Sequence, residues 1–207
     1  MKYLNIANHY KECFLTYGDT HLGVDWPNKE DTIKRHEVMY EIINRGNTKI
    51  DETTILDFGC GLGHFYEWLL TKNKRPKYYG LDINTEFYDI CKIKYPNVTF
   101  YNLDILTNEE LPNFDYIIIN GVFTEKRDLT QEEMFDFFKT VIKKLWVKCN
   151  KGLSFNLMSK HVDWERDDLF HVSLDELGWF LKDHLSRDFI IRNDYKLYEY
   201  TTYVYKK

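Results

Sequence analysis

One stretch constrains this chain more than any other: Ile55-Leu56-Asp57-Phe58-Gly59-Cys60-Gly61-Leu62-Gly63. A short apolar run reads as a buried strand, three glycines follow within five residues, and Leu62 to Lys72 then takes up helical spacing. Glycine lets the chain turn sharply there and lets a ligand approach without a Cβ in the way. In a doubly wound sheet this strand–turn–helix step lies at the carboxyl ends of the strands, where nucleotide-like ligands bind. The spacing is G-x-G-x-G rather than the dinucleotide G-x-G-x-x-G, and His64 follows the third glycine. Asp57, two residues before the first glycine, would repel phosphate and favour a cationic ligand.

The rest of the chain supports such a sheet. From residue 53 onward short apolar strands alternate with helices. Strands are predicted at 54–58, 77–82, 98–101, 114–120 and 152–158, and helices at 62–72, 84–95, 130–148 and from Ser173. Pro96 stops the second helix, and Ser173-Leu174-Asp175-Glu176 opens the last through a capping signal. Strict alternation predicts a mostly parallel sheet covered on both faces. Two closing strands, 188–192 and 196–205, predict an antiparallel edge hairpin and a count of seven strands. Residues 1–50 read instead as a helical cover. A helix starts at Leu4, a break spans Tyr17 to Pro27, and a second helix runs from Asn28 to Arg45 with Gly46 as its stop. No Gly-, Ser- or Pro-rich linker separates the cover from residues 51–207, so the two are expected to form one structural unit.

Composition narrows the class. The 207 residues carry a net charge of −5, which gives no general pull toward nucleic acid or anionic lipid. No run approaches the roughly 18 apolar residues of a membrane span, and the N-terminus lacks a signal-peptide pattern. The four cysteines lie far apart without a C-x-x-C pair, which predicts reduced thiols rather than a zinc ribbon or a disulfide framework. A cytoplasmic protein, with no nucleic-acid or membrane partner, is expected.

Three further signals converge on the glycine turn. Asp82 ends the second strand, 19 residues after Gly63, where a carboxylate can accept both hydroxyls of a ribose. Asp104, just past the third strand, can accept from an exocyclic amine of adenine. Asn120-Gly121-Val122-Phe123 ends the fourth strand, which lies beside the first in such sheets. Asp57-x-Gly59-x-Gly61-x-Gly63, Asp82 and Asp104 together resemble the class I S-adenosylmethionine-dependent methyltransferases. The resemblance covers about residues 50–207 and implies a Rossmann-like α/β sheet of seven strands, mostly parallel, with an antiparallel final strand. It implies S-adenosylmethionine as cofactor, leaving as S-adenosylhomocysteine. The cofactor site it implies comprises Asp57, Gly59, Cys60, Gly61 and Gly63 at the turn, Asp82 with Ile83, Asp104 with Ile105, and Asn120. The segments at 17–26, 35–43, 155–159 and 192–201 resemble small stand-alone bacterial methyltransferases, often linked to surface-glycan or secondary metabolism.

Methyl transfer from a sulfonium is an in-line displacement, to which a protein supplies mainly positioning and a dry cleft. A base is needed only where the acceptor holds its proton at neutral pH, as a sugar hydroxyl does. His161, after the fifth strand, and His171, before the last helix, are the catalytic candidates by their place near the open strand ends. His21 and His36 in the cover could reach the cleft, His64 is expected to meet the cofactor, and His9 and His184 are expected at the surface. Tyr17, Trp26, Arg35 and Phe123 are candidates for the lid and acceptor wall. A smaller aromatic set, Tyr17, Trp26, Phe65, Phe123 and Trp164, is expected to wall a pocket for the sulfonium, whose charge aromatic faces attract. No Asp/Asp/Asn triad can be assembled, so no metal is expected. Nor does Asn120-Gly121-Val122-Phe123 contain the Pro-Pro-Tyr of a nucleic-acid amino methyltransferase. The sequence therefore points to methylation of a small polar metabolite, chiefly at oxygen. N-methylation, or a cofactor-binding partner without catalysis, is the alternative. A nicotinamide oxidoreductase is disfavoured by His64.

Overall fold

The computed structural model describes residues 2–45, 49–108 and 110–206. Gly46, read above as a helix stop, lies outside them. The glycine turn's strand, β1 (Thr54–Phe58), forms the middle of one sheet. It pairs in parallel with β2 (Lys77–Asp82) on one side and β4 (Phe114–Ile119) on the other. β3 (Thr99–Asn102) extends the sheet beyond β2, and β5 (Cys149–Ser159) extends it beyond β4. The final strand, β8 (Glu199–Tyr205), runs antiparallel between β5 and β7 (Phe189–Arg192), giving the order β3-β2-β1-β4-β5-β8-β7. The mostly parallel α/β sheet with an antiparallel last strand is thus as the sequence predicts.

The closing hairpin lies at the sheet edge as expected, with β7 outermost and all seven residues of β8 buried between β5 and β7. Two details differ. An eighth strand, β6 (His171–Val172), pairs with the end of β5 and is too short to leave a pattern. β5 also begins three residues before Gly152. A Cβ at Gly152 would come 2.8 Å from the Val204 carbonyl oxygen, so its glycine serves close strand approach rather than a turn.

Helices cover both faces. On one face α5 (Gln131–Lys148) and α6 (Leu174–His184) bury Phe138, Ile142, Leu177 and Leu181 against Leu56, Ile117 and Leu153. The other face packs Met39 and Ile42, with Phe65 and Leu69, against Ile55 and Ile118. Met39 and Ile42 come from the N-terminal cover, and Phe65 and Leu69 from α3 (His64–Thr71); α4 (Thr85–Lys94) adds Cys91. Ile55 and Leu56 serve opposite faces because side chains alternate along a strand. Each fully buried apolar side chain of this kind stabilises the fold by roughly 1.5–3 kcal/mol. Thr130 and Glu133 close a capping box on α5, and Ser173 caps α6.

The cover comprises α1 (Leu4–Tyr17), a single 3-10 turn at Leu22–Val24, and α2 (Lys29–Tyr40), capped by Asn28 as its sequence predicts. A 3-10 segment, Glu41–Arg45, replaces the expected last turn of α2. Among the described residues, no helix is long and apolar enough to cross a membrane.

Candidate active site

The cavity lies where the carboxyl ends of β1, β2 and β4 meet the cover. Gly59 and Gly61 take positive φ, 73° and 51°, so the chain doubles back at once after β1. The N–H groups of Gly59 and Cys60 both donate to the Leu81 carbonyl, at 2.8 and 3.0 Å, which locks the turn to β2. A Cβ at Gly59 would come 2.3 Å from Val122 Cγ2, so only glycine allows this closeness.

Two buried carboxylates face the cavity. Asp82 accepts from the Gly61 N–H at 2.8 Å and from the Asn84 N–H at 2.9 Å. Burial outweighs these bonds and raises its pKa to about 6. Asp57 accepts from the Tyr78 hydroxyl at 2.6 Å. Burial, joined by the nearby Asp82 charge, raises its pKa to about 7 against that bond. Both groups are therefore carboxylates whose charge lacks a counterpart in an apolar setting, which suits a cationic ligand. Asp104, across the cavity, accepts from the Tyr3 hydroxyl at 2.5 Å and from the Leu106 N–H at 2.9 Å.

Asn120 ends β4 and lines the cavity. Among the described residues, neither its buried Oδ1 nor its Nδ2 has a hydrogen-bond partner. Leaving such atoms unpaired costs roughly 1–3 kcal/mol, a cost that a polar ligand removes.

The structure brings Asp57, Gly59, Cys60, Gly61, Asp82, Ile83, Asp104, Ile105 and Asn120 to this one cavity. Gly63 is the exception. It caps α3 in the left-handed conformation, and a Cβ there would meet Tyr95 at 2.8 Å, so it serves helix packing outside the cavity lining. Of the aromatic set, Trp26 and Phe65 line the cavity. Phe123 does not: it is fully buried, edge-on to Phe137 and Phe138 in the core. Tyr17 and Trp164 are exposed, at 52% and 69%, and lie outside the lining.

Arg35 is also outside the lining, because a carboxylate of this chain already holds it. Its Nε donates to both oxygens of Glu199, at 3.0 and 2.9 Å, and Glu199 is 1% exposed. Asn156 Nδ2 donates to the same carboxylate at 3.1 Å, and Asn156 Oδ1 accepts from the Gly121 N–H at 2.8 Å. The guanidinium also lies over Trp26, 5.3 Å from the ring centre. Arg35 thus links β8, the end of β4 and the cover.

Neither catalytic candidate reaches the cavity. His161 is exposed on the loop after β5. His171 is buried in β6, its Nδ1 held by the Ser159 carbonyl at 2.6 Å. The histidines that do line the cavity are His64 and His36. His36 is 3% exposed and packs against Trp26, Phe65 and Trp68. Burial, aided by the charges of His64 and Arg35, pushes its pKa down to about 3, so its ring is neutral. Among the described residues its Nδ1 has no partner.

Sequence spacing missed the contribution of α1. Tyr3, Ile6, Ala7 and Tyr10 line the cavity. Their i, i+3, i+4, i+7 spacing marks one face of a helix, and that face both packs on the core through Ile6 and covers the cavity.

A methyltransferase-domain family matches residues 56–144, which span β1 to most of α5. A Mycobacterium tuberculosis protein, Rv1506c, provisionally named a methyltransferase, is 25% identical over 159 residues. The match covers 75% of this chain and 95% of that protein. The magnesium protoporphyrin IX methyltransferase of Synechocystis PCC 6803, solved with bound S-adenosylmethionine, superposes with a TM-score of 0.67. It is 16% identical and covers 100% of this chain and 98% of its own. The 1,6-didemethyltoxoflavin-N1-methyltransferase of Burkholderia thailandensis, solved with that acceptor and S-adenosylhomocysteine, gives 0.64 at 14% identity, covering 100% of this chain and 91% of its own.

Proposed function

We propose that this chain is a class I S-adenosylmethionine-dependent methyltransferase and that it methylates an oxygen of a small polar metabolite, of the sugar or nucleotide-linked kind. The cavity residues fit the cofactor. Asp57 and Asp82 supply negative charge for its cationic part, Gly59 and Gly61 leave room where a Cβ would intrude, and the unpaired Asn120 amide awaits a polar partner. In this reading Asp82 takes the ribose hydroxyls and Asp104 the adenine amine. When bound, the cofactor supplies an activated methyl group on a sulfonium. Two similar proteins are named for small-molecule acceptors, and the cover here closes the cavity with α1, Trp26 and His36, which suits an acceptor of that size.

The observation that carries the oxygen reading is His36. A neutral buried imidazole with an unpartnered nitrogen accepts a hydrogen bond from a hydroxyl and so orients its lone pair. As methyl passed from the sulfonium to the oxygen, the hydroxyl proton would be lost to solvent, because a ring with so low a pKa orients the hydroxyl and does not take up its proton.

The test is transfer of labelled methyl from S-adenosylmethionine to panels of hydroxyl- and amine-bearing metabolites. The expected result is label on oxygen, with His36→Ala lowering kcat at least tenfold and leaving S-adenosylhomocysteine affinity unchanged. Label on nitrogen would overturn the oxygen assignment. Cofactor binding without turnover on any acceptor would favour a non-catalytic partner subunit.

A further inference from the structure

A second cluster lies in the cover, outside the cavity lining, and methyl transfer does not use it. His9 and Cys13 stand four residues apart on α1, hence on one helix face. Asp25 closes the 22–24 turn in the left-handed conformation, with φ of 54°. Glu125, 8% exposed, follows β4. His9, read from sequence as a surface residue, has a side chain only 18% exposed.

Three side chains converge on one nitrogen. His9 Nε2 lies 2.7 Å from Asp25 Oδ2, 3.6 Å from Cys13 Sγ and 3.7 Å from Glu125 Oε2. The ligand atoms of His9, Cys13 and Asp25 all lie within 4.8 Å of one another. A hydrogen bond to Asp25 alone satisfies the Nε2–H, and gives no reason for a thiol and a second carboxylate to gather there. Carboxylates that reach the same nitrogen also repel each other. Arg127, 3.3 Å from Glu125 and 3.8 Å from Asp168, offsets only part of that charge.

In a tetrahedral site with metal–nitrogen and metal–sulfur bonds of roughly 2.0 and 2.3 Å, neighbouring ligand atoms lie about 3.4–3.6 Å apart. The distances to Cys13 and Glu125 are close to that spacing. The distance to Asp25 must open by about 0.7 Å on that geometry, and its half-exposed side chain can move. One imidazole, one thiolate and carboxylate oxygens suit zinc-class cations, whereas magnesium and calcium prefer oxygen alone.

We propose that His9, Cys13 and Asp25, completed by Glu125, bind a zinc-class divalent cation. On binding, the Cys13 S–H ionises, its proton passes to solvent, and the thiolate takes the metal. The cation would join α1, the 22–25 turn and the segment after β4. Next to His9, Tyr10 lines the cavity and donates to the Gly121 carbonyl at 3.3 Å, so the site would brace one side of the cavity's cover. This assignment stands apart from the identity of the methyl acceptor.

The test is titration of the chelator-treated full chain with Co²⁺ alone, followed by optical absorption. One equivalent should produce a thiolate-to-cobalt charge-transfer band with tetrahedral d–d bands, and Zn²⁺ should abolish them. Cys13→Ser should remove the charge-transfer band, and His9→Gln should weaken Co²⁺ binding at least tenfold, with circular dichroism of both variants unchanged. No band in the wild-type chain would overturn the proposal, as would a band that survives Cys13→Ser. The wild-type titration decides the question even if a variant fails to fold.

Discussion

At the floor of the cavity the glycine turn is fixed by main-chain groups: Gly59 and Cys60 donate to the Leu81 carbonyl, and Gly61 and Asn84 donate to Asp82. The roof is fixed by side chains. Tyr3 donates to Asp104, Asn84 Nδ2 to the Ala7 carbonyl at 3.1 Å, and Asp19 pairs with His64 and Lys94 at 2.8 and 2.7 Å. Main-chain bonds follow from the fold and leave little freedom. Side-chain bonds each depend on one residue and can open one at a time. A ligand resting on the floor would therefore meet a set geometry, whereas the contacts of the roof could open one at a time.

Glu199 is the place where this contrast is most readily broken. It is buried, yet it ties the roof residue Arg35 to Asn156, which holds the Gly121 N–H of the floor. Glu199→Ala leaves the Arg35 charge without its partner. Removing one member of a buried pair costs roughly 3–5 kcal/mol, so the denaturant midpoint should fall by that equivalent. A loss below about 1 kcal/mol, the range of surface pairs, would show that Arg35 finds water and that roof and floor are independent.

Asp82 tests the floor alone. Asp82→Ala removes the acceptor for two main-chain donors and, in the proposed reading, for the ribose. Charge-assisted bonds of this kind contribute roughly 1.5–3 kcal/mol, so S-adenosylhomocysteine affinity should fall about 100-fold by calorimetry. Unchanged affinity would remove Asp82 from the cofactor site.

The same contrast explains what the sequence could reveal. The floor was legible because its causes are local. Glycine is required at Gly59 by backbone geometry, and Asp57 and Asp82 stand at fixed offsets from strand ends. The roof depends on which distant segment each side chain meets. Arg35 and Tyr17 look alike as lid candidates along the chain, yet a buried carboxylate 164 residues away claims Arg35 and solvent surrounds Tyr17. Phe123 follows directly on the floor residues but turns into the core against α5. His36 could only be named among several histidines, because its neutral state comes from burial that spacing does not show. The interior position of β8 likewise needs knowledge of pairing, which hydrophobic pattern alone does not give.

Titration sharpens the charge argument for the floor. The Asp57 pKa is raised by burial to about 7, above its unfolded value, so the folded chain binds more protons than the unfolded one. Its ionisation therefore removes stability as pH rises from about 4, the ordinary carboxylate value, through 7 in the absence of ligand. A ligand bearing an ammonium favours the ionised form. S-adenosylhomocysteine should thus bind several-fold more tightly as pH rises through about 7, and Asp57→Asn should flatten the upper part of that profile, leaving the contribution of Asp82 near 6. A profile that loosens with rising pH would mean that neither carboxylate meets the cationic end.

Asp19 gives the smallest effect and isolates the roof. It reaches from the 17–27 segment to His64 beside the glycine turn and to Lys94 on α4. Burial raises its pKa, but the hydrogen bonds from Lys94 and His64 outweigh it and hold the carboxyl below its ordinary value. A carboxyl lowered by folding contributes stability above its unfolded pKa and loses it as pH falls through the folded one. Asp19 is 39% exposed, so solvent screens the pair and the contribution stays below about 1 kcal/mol. Asp19→Asn should leave the floor intact and free the latch. S-adenosylhomocysteine should then dissociate a few-fold faster in stopped flow, with equilibrium affinity reduced less than by Asp82→Ala. Wild-type and variant stability should converge in acid, where the wild-type latch has also lost its charge. An unchanged dissociation rate would mean that the roof opens elsewhere, along α1.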